Sequence, residues 1–302
     1  MKIIYGINNI KRLKNPVVAM GVFDGVHRGH QVILRAAARM ARKIKGTSVV
    51  ITFWPHPQEE DSLCSLEHRL RLIAGLGIDA CVVVNFNEHF ARMRAEDFIR
   101  NILVKKLGAR HVYIGKNFRF GKGAEAGLKQ LEDLSVKHGF KARGFDIIKF
   151  RGRPVSSTLI RRLIKNGDLD GANKLFGRRV SVLGTVIKGI SLAKRIGYPT
   201  ANIDPHHEVV PPPGIYAALI NLDKKTLKGA CYIGRKPTIE PKKKKIHIEV
   251  HIFNFKKNIY NKYLDVQFVK KIRSDMQFAS IACLAARIKK DILRAKKILS
   301  HN

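Results

Sequence analysis

Gly21-Val22-Phe23-Asp24-Gly25-Val26-His27-Arg28-Gly29-His30 is the stretch whose reading decides this chain. It starts inside a short apolar run, Val17–Phe23, that reads as a buried strand preceded by Pro16. It ends where Gln31–Lys45 begins, which reads as a helix because Ile33, Leu34, Ala37, Ala38, Ala41 and Ile44 recur near helical spacing. A helix start exposes unpaired N–H groups and a partial positive charge, so a strand-to-helix turn attracts phosphate. Gly25 and Gly29 allow the backbone to approach a ligand closely. His27 and His30 are three apart with Gly29 between them, so both imidazoles can point at one triphosphate. The segment is not a Walker A loop, and Gly115–Gly123 is only a near miss: five residues separate Gly115 from Gly121, and no Ser or Thr follows Lys122.

Outward from that loop, strands and helices alternate. Thr47–Trp54, Ala80–Asn85 and His111–Gly115 read as strands, and Leu66–Leu76 and Ala95–Leu107 as helices. The alternation predicts an α/β domain on a parallel sheet. Near Gly177 the pattern changes to short strands broken by Gly and Pro: Val180–Ile187, Gly214–Ile220, Lys228–Ile233, Ile246–Phe255 and Tyr263–Ile272. Ile246, Ile248, Val250 and Ile252 alternate with polar neighbours, as in a half-buried strand. Such a run predicts a β-barrel or sandwich, closed by an amphipathic helix at about 280–299. The expected domains are 1–180 and 181–302.

The chain has 302 residues, with 58 Lys+Arg against 23 Asp+Glu, for a net charge of +35. Such a charge raises the possibility of a nucleic-acid-binding protein. Residues 1–177 hold 32 basic and 15 acidic residues, and the remainder 26 and 8, so the excess marks no single domain or tail. Lys242–Lys245 reads as a solvated hairpin tip. There is no helix-turn-helix, zinc or aromatic-and-basic RNA motif, so no specific nucleic-acid partner is expected, only a weak salt-sensitive affinity. The hydrophobic fraction of 45 % fits a globular protein, and no apolar run approaches the ~20 residues that span a bilayer. Met1–Lys14 lacks a continuous apolar core, so no secretory signal and no membrane partner are expected, and the cytoplasm is the expected compartment. Cys64, Cys81, Cys231 and Cys283 have neither C-x-x-C nor zinc spacing and read as reduced, mostly buried thiols.

His27-x-Gly29-His30 resembles the H-x-G-H signature of the nucleotidyltransferases, which transfer AMP or CMP from a nucleoside triphosphate. Three further elements follow in order: Thr52-Phe53-Trp54-Pro55-His56-Pro57, Ile114-Gly115-Lys116-Asn117-Phe118-Arg119-Phe120-Gly121 and Val155-Ser156-Ser157-Thr158-Leu159-Ile160-Arg161. Together they resemble the adenylyltransferase module of the bacterial bifunctional riboflavin kinase/FMN adenylyltransferases. The resemblance implies a Rossmann-like domain with ATP and substrate bound at Gly21, Phe23, Asp24, Gly25 and Gly29. It implies that His27 and His30 hold the ATP phosphates and that Asn117 meets the substrate phosphates. Ser157, Thr158 and Arg161 would close over the triphosphate; Ser156-Ser157-Thr158 also reads as a helix N-cap cluster. His56 and Phe53 each admit a structural or a functional role.

The C-terminal half carries Gly197-Tyr198-Pro199-Thr200-Ala201-Asn202, Ile233-Gly234-Arg235-Lys236-Pro237-Thr238, Ile248-Glu249-Val250-His251 and Ile272-Arg273-Ser274-Asp275-Met276-Gln277-Phe278. These are similar to the motifs of the riboflavin kinase barrel. The resemblance implies ATP, riboflavin and FMN as substrates, Mg²⁺ as cofactor, Thr200 and Asn202 as oxygen ligands to Mg²⁺–ATP, Arg273 as a binding residue, and Glu249 as general base. Lys188, Gly189 and the following residues to Gly197 would form a flap over the nucleotide. The chain departs from the family at Ala193-Lys194 (usually Gly-Arg), Tyr232 (Asn), Asn254 (Asp) and Asn261 (Gly). An adenylyltransferase with a weakened kinase barrel is therefore the alternative expectation.

Overall fold

The computed structural model describes residues 1–56, 62–189, 197–235 and 246–301. Pro57, Ala193-Lys194 with most of the expected flap, Lys236-Pro237-Thr238 and Lys242–Lys245 lie outside the described residues. The chain forms two compact units, Met1–Ser62 with Leu66–Ser157, and Leu63–Ser65 with Thr158–Asn302.

The first unit is built on six parallel strands: β1 (Lys2–Tyr5), β2 (Val17–Met20), β3 (Ser48–Trp54), β4 (Ala80–Asn85), β5 (His111–Gly115) and β6 (Lys141–Phe145). Their spatial order is β1-β4-β3-β2-β5-β6. Side chains alternate between the two faces of a strand, and the core divides accordingly. Val17 and Ala19 pack with α1 (Arg28–Lys43) and α2 (Leu66–Ala74), through Leu34, Ala37, Ala38 and Ile73. Val18 and Met20 face the other side, toward Phe98, Ile99, Ile102 and Leu103. Both layers are buried, which explains why these strands read as continuous apolar runs. The short helices α3 (Glu88–Ala91) and α4 (Ala95–Phe98) follow β4, and α5 (Leu128–His138) lies between β5 and β6.

The expected helix over Ala95–Leu107 is present but changes its winding: Ala95–Phe98 is α-helical and Ile99–Leu107 is a π-helix. β1 and β6 were not expected. They form the two edges of the sheet: β1 is four residues long with only Ile4 buried, and β6, Lys-Ala-Arg-Gly-Phe, has no buried residue and no apolar run.

The second unit starts its described helices with α6 (Ser157–Lys165, whose first residue belongs to the first unit) and α7 (Leu169–Phe176). A closed antiparallel barrel follows, in the order β10-β13-β12-β11-β14-β9. Its strands are β9 (Ser181–Ile187), β10 (Ala201–Asp204), β11 (Gly214–Leu222), β12 (Lys225–Arg235), β13 (Ile246–Ile252) and β14 (Tyr263–Ser274). A small β7–β8 ribbon (Lys149–Phe150, Arg153–Pro154) precedes it in the chain. Closure removes unpaired strand edges, so six short strands suffice. The final helix, α8 (Ile281–Leu299), buries Ala295 and Leu299 against Ala217, Leu219 and Ile272. Arg273 is bound to Asp291 of α8 (Nε to Oδ2, 2.8 Å), an ion pair with side-chain exposures of 11 % and 7 %.

Candidate active sites

In the first unit, the chain turns in opposite directions from β2: β3 lies on one side and β5 on the other. Such a reversal leaves a crevice beyond the carboxyl ends of the two central strands. The residues following β2 are Gly21–His30, and those following β5 are Lys116 and Asn117. The topology thus brings the two predicted phosphate-handling segments to one sheet end.

The loop after β2 is tightly wound. Phe23, Gly25 and Val26 have φ of 55°, 72° and 42°. Left-handed conformation is costly for a β-branched residue and is found where surroundings enforce it. Here the enforcing contacts are visible. Thr52 Oγ1 donates to the Val22 carbonyl (2.8 Å), Gln31 Nε2 to the Val26 carbonyl (3.0 Å) and Ser157 Oγ to the Asp24 carbonyl (3.1 Å). Asp24 is buried, with Oδ1 3.8 Å from Nη2 of Arg69, whose side chain is fully buried. Arg69 Nη1 also donates to Thr52 Oγ1 (3.3 Å) and the Phe53 carbonyl (3.1 Å). The loop reading did not include Arg69: its signal, a cation on the apolar face of an amphipathic helix, is invisible until α2 is packed.

His27 is the N-cap of α1, and its Nδ1 accepts from the His30 N–H at 3.4 Å. The two imidazoles stack with centroids 3.5 Å apart, and Phe23 meets His30 edge-on at 5.3 Å. Gly29 permits this stack, since a Cβ there would lie 3.1 Å from His27 Cε1. Gly21 similarly clears the Phe23 ring, which a Cβ would approach to 3.1 Å. After β5, Asn117 Oδ1 lies against Gly115, 3.2 Å from where a Cβ would stand. Thr158 and Arg161, on α6, belong to the second unit; Arg161 is buried.

A chain of aromatic contacts runs through the same unit. Phe53 meets Phe86 and Phe90, Phe90 meets Phe98, Phe98 meets Phe120, and Phe118 stacks on Phe120. Of these, Phe53, Phe118 and Phe120 stand in the quoted motifs; Phe86, Phe90 and Phe98 lie outside them and join the array only through the fold.

In the barrel, strand register assembles the second constellation. Asn202 is opposite Glu249, Glu249 is opposite Tyr232, Tyr232 is opposite Ile215, and Ile215 is opposite Arg273. The predicted residues therefore share one row across five strands. On β13, Ile248 and Val250 are 1 % exposed, whereas His247, Glu249 and His251 share the opposite, half-buried face. Thr200 Oγ1 donates to Glu249 Oε2 at 2.8 Å, and His247 Nε2 lies 2.5 Å from Glu249 Oε1. His251 Nδ1 is 2.8 Å from the Pro199 carbonyl, beside Thr200. Asn202 is 7 % exposed, and its Oδ1 is buried without a hydrogen-bond partner among the described residues. Gly189 lies on the Asn202 side chain so closely that a Cβ would fall 1.9 Å from Nδ2. Lys188 immediately follows β9, and Arg273 is committed to Asp291 and to the Ser274 carbonyl (Nη1, 3.0 Å).

This arrangement fits a hard cation. Thr200 spends its one hydroxyl proton on Glu249, which leaves oxygen lone pairs available, and Asn202 presents a buried carbonyl oxygen with no partner among the described residues.

Two of the departures sit in left-handed backbone: Asn254, where the family has Asp, has φ 53°, and Asn261, where it has Gly, has φ 62°, a conformation that Asn adopts more readily than most side chains. Tyr232 extends over Gly234 and donates to Asp275 Oδ2 at 3.3 Å. Burial first, then Asp275 and Glu249, push its phenol up to about 12, so it stays protonated as a donor.

Comparisons with known proteins match both halves of the chain. Residues 9–159 match the FAD synthetase family, and residues 176–299 the riboflavin kinase family. Among curated relatives, the bifunctional riboflavin kinase/FMN adenylyltransferase of Buchnera aphidicola subsp. Schizaphis graminum is 36 % identical, over 98 % of both chains. That of Escherichia coli is 33 % identical, over 98 % of this chain and 97 % of its own. A crystal structure described as a macrolide-efflux protein from Streptococcus pneumoniae superposes with a TM-score of 0.80 at 26 % identity, covering 96 % of this chain and 97 % of its own. Among the described residues no helix is long and apolar enough to cross a membrane. With both halves matched and near-complete coverage of relatives, the chain belongs to the bifunctional riboflavin kinase/FMN adenylyltransferase family.

Proposed function

We propose that the barrel phosphorylates the ribityl 5′-hydroxyl of riboflavin and that the parallel-sheet domain adenylylates the resulting FMN to FAD, releasing pyrophosphate, with ATP as donor in both steps. We take the corresponding domains as 1–180 and 181–302. The observation that carries the two-activity reading is the Thr200–Glu249–Asn202 constellation, assembled in one barrel despite the departures around it.

At the barrel, Glu249 accepts the proton of the attacking hydroxyl. Its strand fixes its position, and Thr200 fixes the orientation of one oxygen. Thr200 and Asn202 would hold Mg²⁺, which would neutralise charge on the transferring phosphate. Gly189 keeps the Asn202 amide in place, and Lys188 contributes positive charge at the nucleotide. Arg273 acts by anchoring the barrel to α8 through Asp291.

At the sheet domain, the phosphate of FMN is itself the nucleophile toward the α-phosphorus of ATP, so no covalent intermediate on the protein is needed. The chain's part is to position the groups and stabilise charge. His27, His30 and the N-terminal amides of α1 serve the triphosphate. Asn117, Ser157, Thr158 and Arg161 complete the binding set, and Gly21, Phe23, Asp24, Gly25 and Gly29 shape the loop. The Phe53–Phe86–Phe90–Phe98–Phe120 array, whose rings meet edge-on or tilted, would back an apolar pocket for the isoalloxazine ring.

The test is purified protein with riboflavin, ATP and Mg²⁺, with flavins separated over time. FMN appears first, followed by FAD. If supplied FMN is converted while riboflavin stays untouched, the chain is an adenylyltransferase with an idle barrel. Most of the +35 charge lies outside the two sites and serves at most to draw anionic substrates inward.

A further inference from the structure

We propose that His247 is a positioning residue of the kinase site: its imidazole grips Glu249 and holds the carboxylate in the orientation from which it takes the substrate proton. The inference deepens the kinase reading and rests on Glu249 being its base.

The geometry is local and specific. His247 and Glu249 are two residues apart on β13, so strand periodicity places them side by side on one face. Nε2 of His247 lies 2.5 Å from Oε1 of Glu249, while Thr200 donates to Oε2 at 2.8 Å. The two carboxylate oxygens are thus held from opposite sides, one by the strand that carries Glu249 and one by the segment that carries a proposed cation ligand. A glutamate side chain otherwise has several rotatable bonds, and a base displaced by about 1 Å can lose on the order of 100-fold in rate. The pair is shielded, with side-chain exposures of 17 % and 27 %, so the bond is not simply dissolved by solvent.

The same strand shows the pattern a second time. His251, two residues beyond Glu249, bonds the Pro199 carbonyl and meets Tyr198 edge-on, fixing the backbone that delivers Thr200. The two histidines thus flank the base on one face: His251 sets the backbone beside it, and His247 sets the carboxylate itself. His247 is not needed to fill the barrel, because the buried face of β13 is occupied by Ile248, Val250 and Ile252.

The experiment compares H247F, H247Q and E249Q in the full chain, with riboflavin phosphorylation and adenylylation of supplied FMN measured on each preparation. In H247F, which removes the polar ring atoms, kinase kcat falls about 10- to 100-fold. KM for riboflavin and ATP stays within about twofold, and adenylylation persists, which shows that the chain is folded. H247Q, whose amide can donate to the same oxygen, recovers most of kcat. An unchanged kcat in H247F overturns the proposal, as does a loss confined to KM or equal loss in H247F and H247Q. Kinase turnover in E249Q at the wild-type rate overturns instead the reading of Glu249 as base, and the proposal with it.

Discussion

The two candidate sites solve the same problem, holding triphosphate beside flavin, with opposite materials. The sheet site is a loop and a helix start. Its backbone is wound through left-handed residues and pinned by Thr52, Gln31, Arg69 and Ser157. The barrel site is a row of side chains on paired strands, with Asn202, Glu249 and Tyr232 aligned by register. The difference matches the chemistry proposed for each. Adenylyl transfer to an already ionised phosphate needs charge stabilisation, which backbone amides and imidazoles supply. Phosphorylation of a neutral hydroxyl needs a base at a fixed place, which a strand supplies better than a loop.

The comparison breaks most sharply at Glu249. E249Q is expected to lower riboflavin phosphorylation by about 1000-fold, within the range for general-base removal, while supplied FMN is adenylylated normally. Parallel loss of both activities in flavin product assays would show that the sites are not separate. H30A is expected to do the reverse, lowering FAD formation at least ~100-fold and sparing FMN formation. Retention of FAD synthesis there would remove the stacked histidines from the nucleotide site.

R69M tests whether the loop must be pinned from behind. It leaves Asp24 buried beside a neutral side chain, which costs about 3 kcal/mol, read as a lower urea midpoint, with FAD formation affected before FMN formation. An unshifted midpoint would mean that Asp24 does not depend on Arg69. G189A places a methyl group against Asn202 and is expected to slow the kinase about 10-fold and raise the Mg²⁺ concentration for half-maximal rate. A normal Mg²⁺ titration would dissociate Asn202 from the cation. The smallest effect concerns the thiols. Burial pushes Cys81 up to about 12 and raises Cys231 as well, Cys64 is buried, and Cys283 is exposed. At pH 8 a thiol reagent should therefore modify one cysteine rapidly and the other three only on unfolding; a second fast thiol contradicts the burial described.

Much of this was legible before folding. The strands Ala80–Asn85 and His111–Gly115 were read with the bounds observed, because a strand buried on both faces must be apolar throughout. β10 and the edge strands β1 and β6 were missed, since four or five residues with exposed positions carry no periodic signal. The helix α1 begins at Arg28, three residues before the expected start at Gln31, because His27 caps it. His247 left a faint trace, the H-x-E-x-H alternation around Glu249, whose meaning depends on which strand face is buried.

Periodicity and residue chemistry are local properties, so the fold class of each half, the order of the motifs and the candidates for handling phosphate were legible in the residues alone. The strand order that brings Gly21–His30 and Asn117 to one sheet end, the barrel register that aligns Asn202 with Glu249, and the burial of Arg69 behind Asp24 emerge on folding. Those depend on contacts between residues far apart in the chain, and such pairings are set by the packing of whole elements rather than by any segment's own preference.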